Sequence, residues 1–254
     1  MSRQNTTFTG EFEVESPELV SLVSYPRFSE AEYSQRIAEM KSLGVQALML
    51  GNGRSTVNGH SICGKGCVGV VLRARTLKGV VALKIRRVDA DRVSMEREAS
   101  FHRMANGAGV GPLYLGHTEN LMMMEFIGGQ SIIDWVVSST KDHFRRVARS
   151  ILDQCFSLDK IGLDHGELSR LGRHVIVSGG GDACIIDFES ASTSRRTSNV
   201  TSAVQSLVLY GSVAARAKKI HAQIDTERTI ALLRKYKETR TKESYDELLS
   251  LLAL

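Results

Sequence analysis

The chain has 254 residues and a mass of 27.9 kDa, with 42% apolar and 24% charged side chains. That is enough to bury a sizeable core without metal or disulfide staples, and it excludes extensive disorder and collagen-like structure. The net charge of +5 is uneven: residues 1–50 hold 4 basic and 7 acidic side chains, so the remainder is strongly basic and favours anionic partners without selecting one. No apolar run is long enough for a membrane span, and the N-terminus lacks the layout of a secretory leader, so a cytoplasmic location without membrane contact is expected. Cys63, Cys67, Cys155 and Cys184 form no C-x-x-C pair and read as scattered reduced thiols.

In chain order, Ser29–Gly44 predicts a helix, with Ser29 as N-cap, Glu32 three residues on, Gly44 as the stop, and Tyr33, Ile37, Met40 and Leu43 at helical spacing. Val45–Leu50 predicts a strand. Val68–Ala74 and Val80–Arg86 predict a hairpin around Thr76–Gly79. Asp91–Ala105 predicts a helix ended by Asn106-Gly107, and Pro112–Gly116 and Leu121–Ile127 predict two strands. After the Gly128-Gly129 break, helices dominate: Ile132–Val137, Lys141–Ile161, Thr226–Lys237 and Lys242–Leu252. Between them lie a polar loop, Gly162–Arg173, and short strands at His174–Ser178 and Asp182–Asp187. This order implies an α+β chain in two lobes: an N-terminal extension with a helix (1–57), a small β-rich lobe with one helix (58–127), and a helical lobe (128–254).

The first chemical motif is Gly64-Lys65-Gly66-Cys67-Val68-Gly69-Val70-Val71. Glycines there let backbone N–H groups approach phosphate oxygens that a Cβ would obstruct. A dinucleotide site would need a helix next and an acidic residue about 20 positions on. Here a hairpin follows and Lys84 stands 20 after Gly64, which favours a flap over nucleotide phosphates. A turn without a ligand is the plain alternative. Val81-Ala82-Leu83-Lys84 then resembles the V-A-I-K of protein kinases, whose lysine contacts phosphates. A helix carboxylate must hold such a lysine. Glu98 is preferred because it starts the stripe Glu98, Phe101, Ala105, and Glu96 is the competitor.

Leu121–Gly129 resembles the crossing between kinase lobes, where main-chain groups of Glu125, Phe126 and Ile127 would meet the adenine edge. Asp164-His165-Gly166-Glu167-Leu168 resembles H-R-D-L and, more closely, the H-G-D-L of RIO-type minimal kinases, with Glu167 at the catalytic aspartate's place and Asp164 as a substitute base. Ile185-Ile186-Asp187-Phe188-Glu189 resembles D-F-G, with Asp187 as the ligand for Mg²⁺ or Mn²⁺. The family's second metal ligand, an Asn, is missing. Counting along the loop puts Gly172 there, and alignment by the following strand puts His174 there, a poorer donor for a hard cation. These motifs fall in order over residues 64–189. With the phrases ALKIRR, GVGP, MEFIGG and IDFES, the chain resembles a group of small predicted archaeal Ser/Thr protein kinases of the protein-kinase-like superfamily.

The resemblance implies ATP and Mg²⁺ as cofactors. It implies a nucleotide set of Gly64, Lys65, Gly66, Cys67, Val68, Gly69, Val71, Ala82, Lys84, Glu98, Glu125, Phe126 and Ile127, with Lys84, Glu167 and Asp187 carrying the transfer. The expected acceptor is an unidentified protein. After Phe188 the chain is short, rich in hydroxyls (Ser190, Ser192, Thr193, Ser194, Thr197, Ser198) and without A-P-E, and Arg195-Arg196 could grip a phosphate. The basic stretch Arg216–Lys242 reads as a solvated helical face, with RNA contact as the alternative. Two other functions compete: a nucleotide-binding regulator with little catalysis, and a small-molecule kinase.

Overall fold

The computed structural model describes residues 9–51, 53, 55–218, 220 and 224–254. The chain divides into two compact units. The first comprises Met1–Ser100 and Leu113–Phe126, and the second Phe101–Pro112 and Ile127–Leu254.

The first unit runs through β1 (Gly10–Glu13), α1 (Val20–Val23), α2 (Glu30–Ser42), β2 (Val45–Leu50), β3 (Ser55–Val57), β4 (His60–Ile62), β5 (Gly64–Lys65), β6 (Gly69–Thr76), β7 (Gly79–Arg86), the start of α3 (Glu96–Gly107), β8 (Tyr114–His117) and β9 (Leu121–Glu125). The α2 start follows its sequence signal, because the Ser29 hydroxyl accepts from the Glu32 amide. One antiparallel sheet has the order β1-β2-β6-β7-β9-β8, with β5 added on β6. Segment 1–57, read from sequence as an extension, therefore supplies β1 and β2 to the sheet itself, with β2 laddered onto β6.

Strand alternation sorts side chains to two faces. Val70, Leu72 and Ala74 of β6 and Val81, Leu83 and Ile85 of β7 pack in one cluster with Ile37 and Met40 of α2. Val71, Ala82, Met122 and Met124 belong to another, with Met95 and with Ala99 of α3. The same period carries Lys84 to the face of Ala82. Helix α3 begins at Glu96 rather than Asp91, because Met95 N donates to Glu119 O (2.8 Å) and the Ser94 hydroxyl accepts from the Glu96 amide.

The second unit contains the rest of α3, β10 (Gly129–Ser131), α4 (Ile132–Trp135), α5 (Lys141–Lys160), a 3-10 turn at Leu168–Arg173, β11 (Val175–Ser178), β12 (Ala183–Ile185), α6 (Asn199–Val204), α7 (Gly211–Ala217), α8 (Thr226–Thr239) and α9 (Lys242–Leu252). The expected Gly128-Gly129 break is the entry to a strand. A Cβ on Gly129 would lie 2.2 Å from the Val177 carbonyl, so only glycine allows β10 to close on β11. Helix α5 buries Phe144, Val147, Ala148, Ile151, Leu152, Cys155 and Leu158 at helical spacing and forms the spine of the core. Phe101–Pro112, assigned from sequence to the small lobe, packs with this unit through Ala105 and Val110. No described helix is long and apolar enough to cross a membrane.

Candidate functional site

In the first unit, the glycine-rich segment is a tight antiparallel turn. Gly64 and Lys65 pair with Val71 and Val70, and Gly66 N donates to Gly69 O at 2.8 Å. A Cβ on Gly69 would meet Ile85 O at 2.8 Å and the Lys84 stem at 3.1 Å, so glycine here lets the turn lie directly on Lys84. Lys84 is 4% exposed, and its Nζ is 2.8 Å from Glu98 Oε1, itself 3% exposed. The choice between two helix carboxylates is thereby decided for Glu98. Glu96 turns outward to His117 Nε2 at 2.6 Å, whose Nδ1 lies 2.6 Å from the Tyr114 hydroxyl. Val68, Val71 and Ala82 join Met122, Met124 and Phe126 in an apolar surface beside the pair. Cys67 is exposed in the turn. At the crossing, Glu125 N donates to Leu113 O (2.8 Å), and Phe126 and Ile127 lie beyond the end of β9.

In the second unit, the loop Asp164–Leu168 is held from several sides. His165 is fully buried, packs at a tilt against the Phe188 ring (centroids 5.2 Å apart) and directs Nε2 to Ile186 O at 3.0 Å. A carbonyl only accepts, so Nε2 carries the proton. Burial and neighbouring His174 hold this imidazole down at about 4, so it is neutral. Phe188 is wedged between His165, His102 and Gly111, whose positive φ and close approach to the ring admit no side chain.

Gly166 has φ +88°, and a Cβ there would meet Arg195 Nη2 at 2.4 Å and Ser190 O at 2.7 Å. Asp164, the alternative base, is 5% exposed and occupied: it accepts from Ser198 N (3.0 Å) and Ser198 Oγ (3.2 Å) and pairs with Arg195 Nε (3.0 Å). It fastens the loop and is not placed as a base. Arg195 and Arg196 are likewise spent within the fold, Arg195 also on Ser190 O and Arg196 on Lys237 O, so the expected phosphate grip is not formed.

Glu167 is the half-exposed carboxylate. Its Oε1 accepts from Ser190 Oγ at 2.6 Å, and Oε2 is 2.9 Å from His174 Nε2. The Ser190 hydrogen bond, aided by His174 and opposed by burial, holds the carboxyl below its usual range, so it is ionised and able to accept a proton. Asp187 sits at φ +72°, a left-handed conformation that costs a non-glycine residue about 1–3 kcal/mol and recurs at functional positions. Its Oδ2 is 3.9 Å from His174 Nδ1.

His174 therefore bridges two carboxylates, 5% exposed, with a close but poorly aligned approach to Glu167. The carboxylates of Asp187 and Glu189 are oxygen donors of the kind a hard divalent cation takes. Sequence reasoning did not find the Arg195–Asp164 and Ser190–Glu167 contacts, 31 and 23 residues apart, because nothing local signals either. On the C-terminal basic helices, Lys235 and Lys242 are paired with Glu247 and Asp246, consistent with a solvated face.

No family model matches the chain. It is 34% identical over 91 residues to a protein of Methanocaldococcus jannaschii, uncharacterized protein MJ1211, and the match covers 36% of this chain and 77% of that protein. Among solved structures, the kinase domain of PF14_0431 is similar at 19% identity with a TM-score of 0.43, covering 51% of this chain and 49% of that one.

Proposed function

The chain belongs to the family of the Methanocaldococcus jannaschii protein MJ1211, and we propose that it is an ATP-dependent phosphotransferase of minimal, atypical protein-kinase type, acting on Ser or Thr hydroxyls of a protein in the cytoplasm. The observation that carries the reading is the Lys84–Glu98 pair. Both groups are nearly sealed from water, 2.8 Å apart, under a turn whose Gly69 has no room for a side chain. Buried ion pairs seldom stabilise a fold against apolar replacements. A lysine held there by its own carboxylate, among Val68, Val71 and Ala82, suits a cation kept ready for nucleotide phosphates.

The second unit supplies the other half of the chemistry in this reading. Asp187 and Glu189 would hold a divalent cation, which when bound neutralises developing phosphate charge. Glu167, ionised and within reach of a hydroxyl, would orient the acceptor and take its proton. A nucleotide-binding regulator is the second reading, favoured by the engagement of both Glu167 oxygens, with Ser190 and His174.

Transfer from γ-labelled ATP by wild type, Asp187→Ala and Glu167→Gln, with Mg²⁺ or Mn²⁺, decides between them. The phosphotransferase reading expects transfer by wild type and its loss in Asp187→Ala. Nucleotide binding without transfer in wild type establishes the regulator instead. Transfer indifferent to Asp187→Ala removes Asp187 from the site.

A further inference from the structure

Resting on the phosphotransferase reading, we propose that Ser190 is the enzyme's own acceptor, phosphorylated in cis, and that its modification frees Glu167 for an outside hydroxyl. The Ser190 hydroxyl already stands where an acceptor must: its Oγ donates to Glu167 Oε1 at 2.6 Å, three residues after Asp187. Its backbone is fixed by Arg195 Nη2, which donates to Ser190 O at 2.6 Å. Neighbouring hydroxyls are directed elsewhere. Ser192 and Ser194 bond to one another at 2.9 Å, and Ser198 donates to Asp164.

In the transfer, the Ser190 Oγ proton passes to Glu167 Oε1 while Oγ bonds to the γ-phosphorus of ATP. The bond from that phosphorus to the β,γ-bridging oxygen breaks, ADP leaves with the electron pair, and Glu167 returns its proton to water. The product phosphate is an anion beside the Glu167 carboxylate and no longer has the hydroxyl hydrogen to donate. Like-charge repulsion therefore opens the contact. Before modification Ser190 occupies Glu167 Oε1, and afterwards that oxygen is free.

The test is peptide mapping by mass spectrometry of the full chain incubated with γ-labelled ATP and Mg²⁺, with ATP binding followed separately by thermal shift. Phosphate is expected on Ser190, at a rate per chain independent of protein concentration. Ser190→Thr is expected to convert the label in the same peptide from phosphoserine to phosphothreonine, and Ser190→Ala to remove it while ATP still shifts the melt. Labelling elsewhere with Ser190 unmodified overturns this proposal and leaves the phosphotransferase reading standing, as does a rate that rises with protein concentration. ATP binding without any label overturns both.

Discussion

Gly166 offers a quantitative test of how the loop Asp164–Leu168 is held. Gly166→Ala brings two costs that Gly162→Ala, just before that loop, separates. Both glycines have positive φ, +88° and +73°, so each alanine incurs about 1–2 kcal/mol of left-handed strain. Gly162 has no heavy atom within 4 Å of a new Cβ, and its cost ends there. At Gly166 the Cβ would stand 2.7 Å from the Ser190 carbonyl and 2.4 Å from Arg195 Nη2. The guanidinium can swing away, at the expense of its half-exposed contact with Asp164, about 1 kcal/mol or less. The carbonyl is backbone and must move, which overpacking series put at about 1–3 kcal/mol. Gly166→Ala should therefore cost about 2–6 kcal/mol and Gly162→Ala about 1–2 kcal/mol. The chain has one tryptophan, Trp135, in the second unit with both glycines, so urea unfolding followed by its fluorescence reads the relevant unit. Equal losses for the two variants would refute the steric argument.

Two further predictions concern single groups. Glu98→Gln should weaken ATP binding by about ten- to a hundredfold, the worth of one charge-assisted hydrogen bond, whereas Glu96→Gln should leave it within about twofold; calorimetric titration of both compares them, and equal effects would return the lysine's partner to dispute. His165, held at about 4 in the fold against 6.5 in the unfolded chain, leaves the unfolded state binding more protons between those values, so stability should fall as pH drops from 6.5 towards 4, by up to about 3 kcal/mol. Chemical denaturation of wild type and His165→Gln across that range reads the difference in slope, and parallel slopes would show that His165 is not the buried neutral group.

Legibility in the sequence followed the range of the interaction. Strand β2 occupies Val45–Leu50 as its apolar pattern indicates, and α2 begins after Ser29, because both signals lie within a few residues. Lys84 and Glu98 were reachable through two periods, alternation along β7 and a helical stripe along α3. The residual ambiguity with Glu96 was settled by His117, 21 residues away, which no period encodes. The place of His174 between Glu167 and Asp187 and the fastening of Asp164 by Arg195 depend on how a loop folds back, which no local pattern signals. The assignment of Phe101–Pro112 turned on Gly111, whose bare Cα admits the Phe188 ring.

The N-terminal segment changes how the lysine must be understood. Leu19, Leu22 and Val23, with Ile37 and Met40 of α2, cover one face of the sheet, and α3 covers part of the other. A sheet covered on both sides makes its strands read as continuous apolar runs, and Val81–Ile85, buried throughout, is such a run with one charge in it. On a half-solvated sheet a lysine at that position would carry its ammonium along its own stem to water. At 4% exposure Lys84 has no such route, so its charge requires an anion supplied by the fold, and Glu98 meets that need. The covering of the sheet by residues before the glycine-rich turn is thus part of what turns an ordinary strand lysine into a captive one.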